Sequence, residues 1–139
     1  IKSYFKRYPA VKEYLDRSVT RARELGYVTT IMNRRRYVPE LTAKNRNIRQ
    51  FGERIAMNTP IQGSAADIIK IAMVSVYKRL KVTKSNLILQ VHDELIIDVC
   101  KDELHDIKKI VKYEMENAIS LKAPLVADIN YGANWYDAK

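Results

Sequence analysis

Cysteine is almost missing from this sequence: Cys100 is the only one in 139 residues. An internal disulfide and a cysteine-built metal cage are excluded, and a reducing compartment fits. No stretch approaches the roughly 18 apolar residues that would span a bilayer. The amino terminus has no basic start followed by an apolar run, so no secretion signal is read. These absences point to a cytoplasmic protein with no membrane partner. Glycine and proline are sparse, at four each, which predicts long ordered elements and no flexible linker. Repeats and low-complexity tracts are absent. The first residue is Ile1, not Met, and the chain is read as a piece of a longer protein.

What is present is a core-forming composition, 47% hydrophobic and 29% charged, with a net charge of +9. Such values describe one globular domain rather than a disordered segment. The positive excess attracts polyanions, nucleic acid among them, and is also compatible with a solvated basic surface.

Periodicity predicts helix over residues 1–25, broken near Tyr8-Pro9, with Val11, Tyr14, Leu15 and Val19, and Ala22 beyond them, at helical spacing and Gly26 as a stop. Tyr27–Ile31 and Arg36–Val38 read as paired strands around a turn at Asn33, ended by Pro39. Residues 40–46 read as a connection. A long helix is expected from about Asn47 to Leu80, kinked at Pro60, with Ile61, Ala65, Ile68, Ile69, Ala72, Met73, Val76 and Leu80 as its apolar stripe. Leu87–Val91 and Glu94–Val99 form a hairpin through a two-residue His92-Asp93 joint, which is not the favoured Asn-Gly and implies mild strain. Another amphipathic helix covers 102–119, and Leu125–Ile129 reads as a last strand. The sum is an α+β fold with a mostly antiparallel sheet built from hairpins, packed against long helices.

Three features carry chemistry. Asp93 and Glu94 are adjacent carboxylates at a hairpin tip between apolar strands, a rigid placement suited to holding Mg²⁺ in two-metal phosphoryl transfer. A solvated polar turn has the same composition. His92 beside them is either a structural donor or a contact to the nucleic-acid strand whose end must reach the metal. Arg54, Asn58 and Gln62 recur every four residues along one helix face. Donors in such a row suit the acceptors that every base pair shows in the minor groove, or form a solvated helix face. Gly63 beside Gln62 permits close backbone approach. Arg34-Arg35-Arg36, extended by Lys44, Arg46 and Arg49, suit phosphate contacts.

Together, Met57-Asn58-Thr59-Pro60-Ile61-Gln62-Gly63-Ser64-Ala65-Ala66-Asp67 followed by Gln90-Val91-His92-Asp93-Glu94-Leu95 closely resemble the DNA polymerase I family (family A). Gly26–Pro39 resembles that family's link from fingers back to palm, and Gly132–Lys139 its extreme carboxy terminus, so the resemblance runs along essentially the whole chain. It implies that residues 1–26 end the fingers helices and 27–139 form the carboxy-terminal part of the palm. It implies that Asp93 is a catalytic metal ligand and Glu94 its less critical neighbour, that His92 and Gln90 lie near the primer terminus, and that Arg54, Asn58 and Gln62 touch the nascent duplex. Arg36 contacts the DNA on the same reading. Ser64 stands where the family often has Thr and keeps the hydroxyl.

The implied reaction adds deoxynucleotides to a primer 3′-hydroxyl using two Mg²⁺ ions. Primer–template DNA and deoxynucleoside triphosphates are the partners, no obligate protein partner is inferred, and the bacterial cytoplasm or nucleoid is the setting. The family's first catalytic Asp motif and its nucleotide-binding fingers helix are not in this sequence and are expected upstream, so this piece alone is expected to be inactive. Two other readings are a basic nucleic-acid-binding module without catalysis and a purely structural accessory segment.

Overall fold

The structure is a computed structural model that describes residues 2–138. It forms two compact units, residues 1–67 and 68–139, each with its own core.

In the first unit, helices α1 (Lys2–Arg7) and α2 (Pro9–Leu25) are divided at Tyr8, with Pro9 at the first position of α2, where its fixed φ suits a helix start. Gly26 ends α2 at φ 77°, its N–H bonded to Ala22 O. This left-handed conformation is open to glycine at no steric cost. Strands β1 (Tyr27–Thr29) and β2 (Arg35–Tyr37) pair antiparallel, joined by a turn in which Asn33 takes φ 59°. Pro39 closes β2 as expected and opens a 3-10 turn, Pro39–Thr42. Helix α3 runs from Arg46 to Leu80. It starts where expected because the Asn45 side chain accepts hydrogen bonds from the Asn47 and Ile48 N–H groups, an N-cap.

The core of this unit is Ala22, Val28, Val38, Leu41, Ile55 and Ala56. Two expectations are corrected here. Val11 and Tyr14 are exposed, whereas Ala22, at the far end of the same expected stripe, is buried. Ile61 and Ala65 are also exposed. In this half of α3 the buried face is set by Gly52, Ile55, Ala56 and Asp67, which lie against the β1–β2 segment and the 3-10 turn rather than under the apolar stripe.

Where α3 meets the β1–β2 turn, contact is close enough to need a glycine. A Cβ on Gly63 would come within 2.7 Å of Thr30 Cγ2, and Thr30 is only 5% exposed. Around this point Ile31 N–H donates to Ser64 Oγ at 2.9 Å and Ser64 Oγ donates to Pro60 O. Arg34 donates through Nε to Asp67 Oδ1 at 2.9 Å and through Nη2 to Gly63 O at 3.2 Å. The helix is continuous through Pro60, although proline cannot donate to the Ala56 carbonyl.

The second unit packs Val76 and Leu80 of α3 against Ile107 and Val111 of α4 (Leu104–Glu116), with one side of a hairpin lying on them. Each such side chain contributes roughly 1.5–3 kcal/mol by leaving water. Strands β3 (Asn86–Val91) and β4 (Glu94–Asp98) pair antiparallel, with a bulge between Leu87 and Leu89. The extra residue switches faces. Leu87 sits opposite Ile97 on the core side, whereas Leu89 sits opposite Ile96 and is half-exposed. Helix α4 is shorter than expected, because a 3-10 turn fills Lys101–Glu103 and Asn117 ends the helix, its side chain bonding Tyr113 O at 2.8 Å. Such local side-chain bonds compete with helical continuation. The last expected strand is corrected: Leu125–Ile129 is irregular. Its Ala127 N–H is satisfied by Glu116 Oε1 at 3.1 Å rather than by a strand, while Ile129 still packs on the core. The fold is α+β, with its strands in two separate two-stranded antiparallel sheets.

Glu103 ties down the open end of the β3–β4 hairpin. Its carboxylate accepts from Lys84 N–H at 3.0 and 3.1 Å and from the buried Ser85 hydroxyl at 2.7 Å, and Ser85 Oγ accepts from Cys100 N–H. The Lys84 backbone donor first, and the Ser85 hydroxyl second, hold the Glu103 carboxyl below its ordinary value. A depressed folded pKa contributes stability that is complete above the unfolded value, about 4.3, and is lost as pH falls through the folded one. Glu103→Gln is expected to lower the thermal midpoint at pH 7, and the gap to wild type should narrow in acid below the usual carboxylate range. A gap that stays constant with pH would contradict this. Gly63→Ala tests the close contact. Alanine gains about 1 kcal/mol of helix propensity, but forcing a methyl into a packed site costs about 1–3 kcal/mol. Denaturant titration should show net destabilisation, relieved by adding Thr30→Ser, which removes the opposing methyl and keeps the hydroxyl.

Candidate functional site

The expected site residues fall into two groups, one in each unit. Arg54, Asn58 and Gln62 line one exposed side of α3. Arg54 lies 5.8 Å from the Phe51 ring centroid. Their exposure follows from the burial of Ile55 and Ala56 on the opposite side. Gln62 also lines an open groove of about 340 Å³ with Thr30, Arg34, Arg35, Arg36, Thr59 and Gly63.

The three arginines of this groove have separate occupations. Arg34 is bound to Asp67 and Gly63, as described. Arg35 lies over the Tyr27 ring at 4.8 Å. Arg36 reaches Thr59 Oγ1 at 3.3 Å through one guanidinium nitrogen and remains exposed, so it keeps donors for an anion. Arg49, read as part of the same basic run, bonds Ala43 O at 3.1 Å and helps close the start of α3. Thr30, Thr59 and Asp67 did not stand out individually in the sequence, and Ser64 did so only for its hydroxyl. A usable signal was present: Thr59, Gly63 and Asp67 recur every four residues, one step around the helix from Asn58 and Gln62, and two of them are small or hydroxylated.

In the second unit Gln90, His92, Asp93 and Glu94 come together at the tip of the β3–β4 hairpin. Val91 pairs with Glu94, leaving His92 and Asp93 as the joint. His92 takes φ 53°, a left-handed conformation that costs a non-glycine residue on the order of 1 kcal/mol. The expected strain is therefore present. Gln90 lends support by donating from Nε2 to the His92 carbonyl. All four residues are exposed.

Among the described residues, neither Asp93 nor Glu94 accepts a side-chain hydrogen bond or forms an ion pair. Their oxygens are therefore free for an outside cation, and hard carboxylate donors are what Mg²⁺ takes. Among the described residues no group of three or more His, Cys, Asp or Glu is arranged to hold a metal. The tip thus fits Mg²⁺ as part of a ligand set to which substrate phosphates commonly contribute. No helix among the described residues is long and apolar enough to cross a membrane.

Comparison with known proteins places these features in context. The family model for DNA polymerase family A matches residues 1–137. The DNA polymerase I of Caldicellulosiruptor bescii is 56% identical over the whole of this chain, which covers 17% of that protein. The DNA polymerase I of Bacillus caldotenax is 51% identical, again over the whole chain and 16% of the relative. Among solved structures, the POL domain of Pol1 from M. smegmatis, in complex with DNA primer-template and dNTP, superposes with a TM-score of 0.94. It is 45% identical, over 97% of this chain and 24% of that one. The chain spans about one sixth of the length of the curated relatives it matches. With the family's pattern matched from residue 1 to residue 137, the chain belongs to DNA polymerase family A.

Proposed function

We propose that this chain is the carboxy-terminal, palm-side part of a template-directed DNA polymerase, with residues 1–26 ending the fingers helices and 27–139 belonging to the palm. The observation that carries the reading is the β3–β4 tip, where Asp93 and Glu94 stand exposed and uncommitted on a hairpin anchored by its apolar side, in a chain of family A. The M. smegmatis relative was captured with primer-template and dNTP, which supports the same partners here.

The reaction is attack of a primer 3′-hydroxyl on the α-phosphate of a deoxynucleoside triphosphate, with pyrophosphate as the leaving group. Asp93, assisted by Glu94, would hold Mg²⁺, and the bound ions supply activation of the attacking oxygen and neutralisation of charge on the leaving one. The chain's own residues position the duplex. Arg54, Asn58 and Gln62 offer donors to purine N3 and pyrimidine O2, acceptors common to all base pairs, so they test pair shape without reading sequence. His92 and Gln90 stand beside the carboxylates to meet the primer end. Arg36 takes a backbone phosphate. Asp93 and Glu94 are too few to hold two ions unaided, so these 139 residues alone are inactive on this reading.

Primer extension with Mg²⁺ and four deoxynucleotides tests it, using the complete polymerase chain, the 139-residue piece, and the complete chain with Asp93→Asn. Only the complete wild type should extend the primer. Asp93→Asn should lose several kcal/mol of transition-state stabilisation, roughly 10³-fold or more in rate. A folded Asp93→Asn enzyme of normal activity would leave the non-catalytic binding module as the better reading. Arg36→Ala should weaken DNA binding uniformly across sequences and reduce the salt slope by about 1, measured by anisotropy titrations at several salt concentrations.

A further inference from the structure

The stretch of α3 that carries Gln62 is intrinsically weak. Pro60 removes one i→i−4 hydrogen bond, and Gly63, three residues on, lowers helix propensity by about 1 kcal/mol relative to alanine. A side chain that must test base-pair shape needs a fixed backbone, yet Gln62 sits between these two residues on the exposed side. The β1–β2 turn and the start of β2 supply the missing support on the other side. Arg36 reaches Thr59, Ile31 N–H reaches Ser64, Arg34 reaches both Gly63 O and Asp67, and Thr30 fills the space beside Gly63. These contacts fall at residues 59, 63, 64 and 67, on either side of Gln62, and Gln62 shares its groove with Arg34.

We infer that Arg34, with Ser64, is a positioning residue that fixes Gln62 and so sets how strictly the enzyme rejects a mispaired primer end. The inference rests on the proposed role of the α3 donor row. Arg34 is suited to the task because one planar guanidinium bonds two points a turn apart, Gly63 O and Asp67 Oδ1. A lysine, with a single ammonium, cannot reproduce that fork. Ser64 couples the turn to the helix because its hydroxyl accepts from Ile31 and donates to Pro60 O, and threonine would preserve both bonds. Arg34 does not touch the DNA on this assignment. Its Nε and Nη2 bond Asp67 and Gly63 within the protein, two points against the single Thr59 contact of Arg36.

The test is a double-mutant cycle in the complete polymerase. Extension from matched and mismatched primer ends is measured for wild type, Arg34→Ala, Arg34→Lys, Gln62→Ala and Arg34→Ala/Gln62→Ala, with hydrogen exchange followed over residues 59–67. Arg34→Ala should raise exchange in that stretch and cut the matched-to-mismatched ratio about tenfold. Arg34→Lys should restore little of it, and Arg34→Ala should have no further effect once Gln62 is alanine, because coupled residues are non-additive. Ser64→Ala should resemble Arg34→Ala, and Ser64→Thr should resemble wild type. Unchanged discrimination in Arg34→Ala, with Gln62→Ala impaired, overturns the inference and leaves the donor row intact. Effects that simply add also overturn it. If Gln62→Ala itself discriminates normally, the row reading fails and the inference falls with it, whatever the exchange data show about the brace.

Discussion

Gly63 has no side chain, and the methyl of Thr30 occupies the place where one would be. That contact lets the β1–β2 turn lie directly on α3, and the other interactions of the region depend on it. Only at this distance can the Ile31 N–H reach Ser64 and the Arg34 fork span Gly63 and Asp67. The arrangement also settles which side of α3 stays in solvent. With residues 59, 63 and 67 facing the turn, the row of Arg54, Asn58 and Gln62 is left in solvent.

The second unit solves a different problem, that of holding negative charge rigidly at a solvent-exposed tip. Apolar side chains on one side of the hairpin bury against α3 and α4, while at the open end the Glu103 carboxylate gathers donors from Lys84 and Ser85. Fixing both side and base leaves the tip little freedom, so His92 can be kept at a positive φ that a looser hairpin would relax. Backbone strain of this kind is typical of sites whose surroundings over-determine it. The bulge after Leu87 adds a further consequence, since it moves Leu89 off the core side and turns an expected uniform alternation into two different faces.

Local backbone chemistry was readable in advance where one residue decides the outcome. Pro9 starts α2, Gly26 stops it, Asn33 makes the first turn, and His92-Asp93 makes the second. The acidic tip and the donor row were equally plain, because a two-residue joint and a four-residue spacing are properties of sequence. The stripe through Ile61 and Ala65 misled because periodicity reports that a helix is amphipathic without reporting what covers it. Leu125–Ile129 has strand composition, but a strand needs a neighbouring edge, and its one buried N–H found the Glu116 side chain instead.

By itself, then, the sequence determined the breaks at Pro9, Gly26, Asn33 and His92-Asp93, the α+β class, the family pattern and the identity of the charged groups, all of which follow from short-range geometry and residue chemistry. The tertiary structure decided what each of the three adjacent arginines meets within the fold, that Glu103 and Ser85 anchor the hairpin, and that Ile61 and Ala65 face solvent. Those outcomes turn on residues some twenty to thirty positions apart meeting at hydrogen-bond distance. Neither propensity nor spacing encodes such long-range contacts, because each one depends on where the rest of the chain has gone.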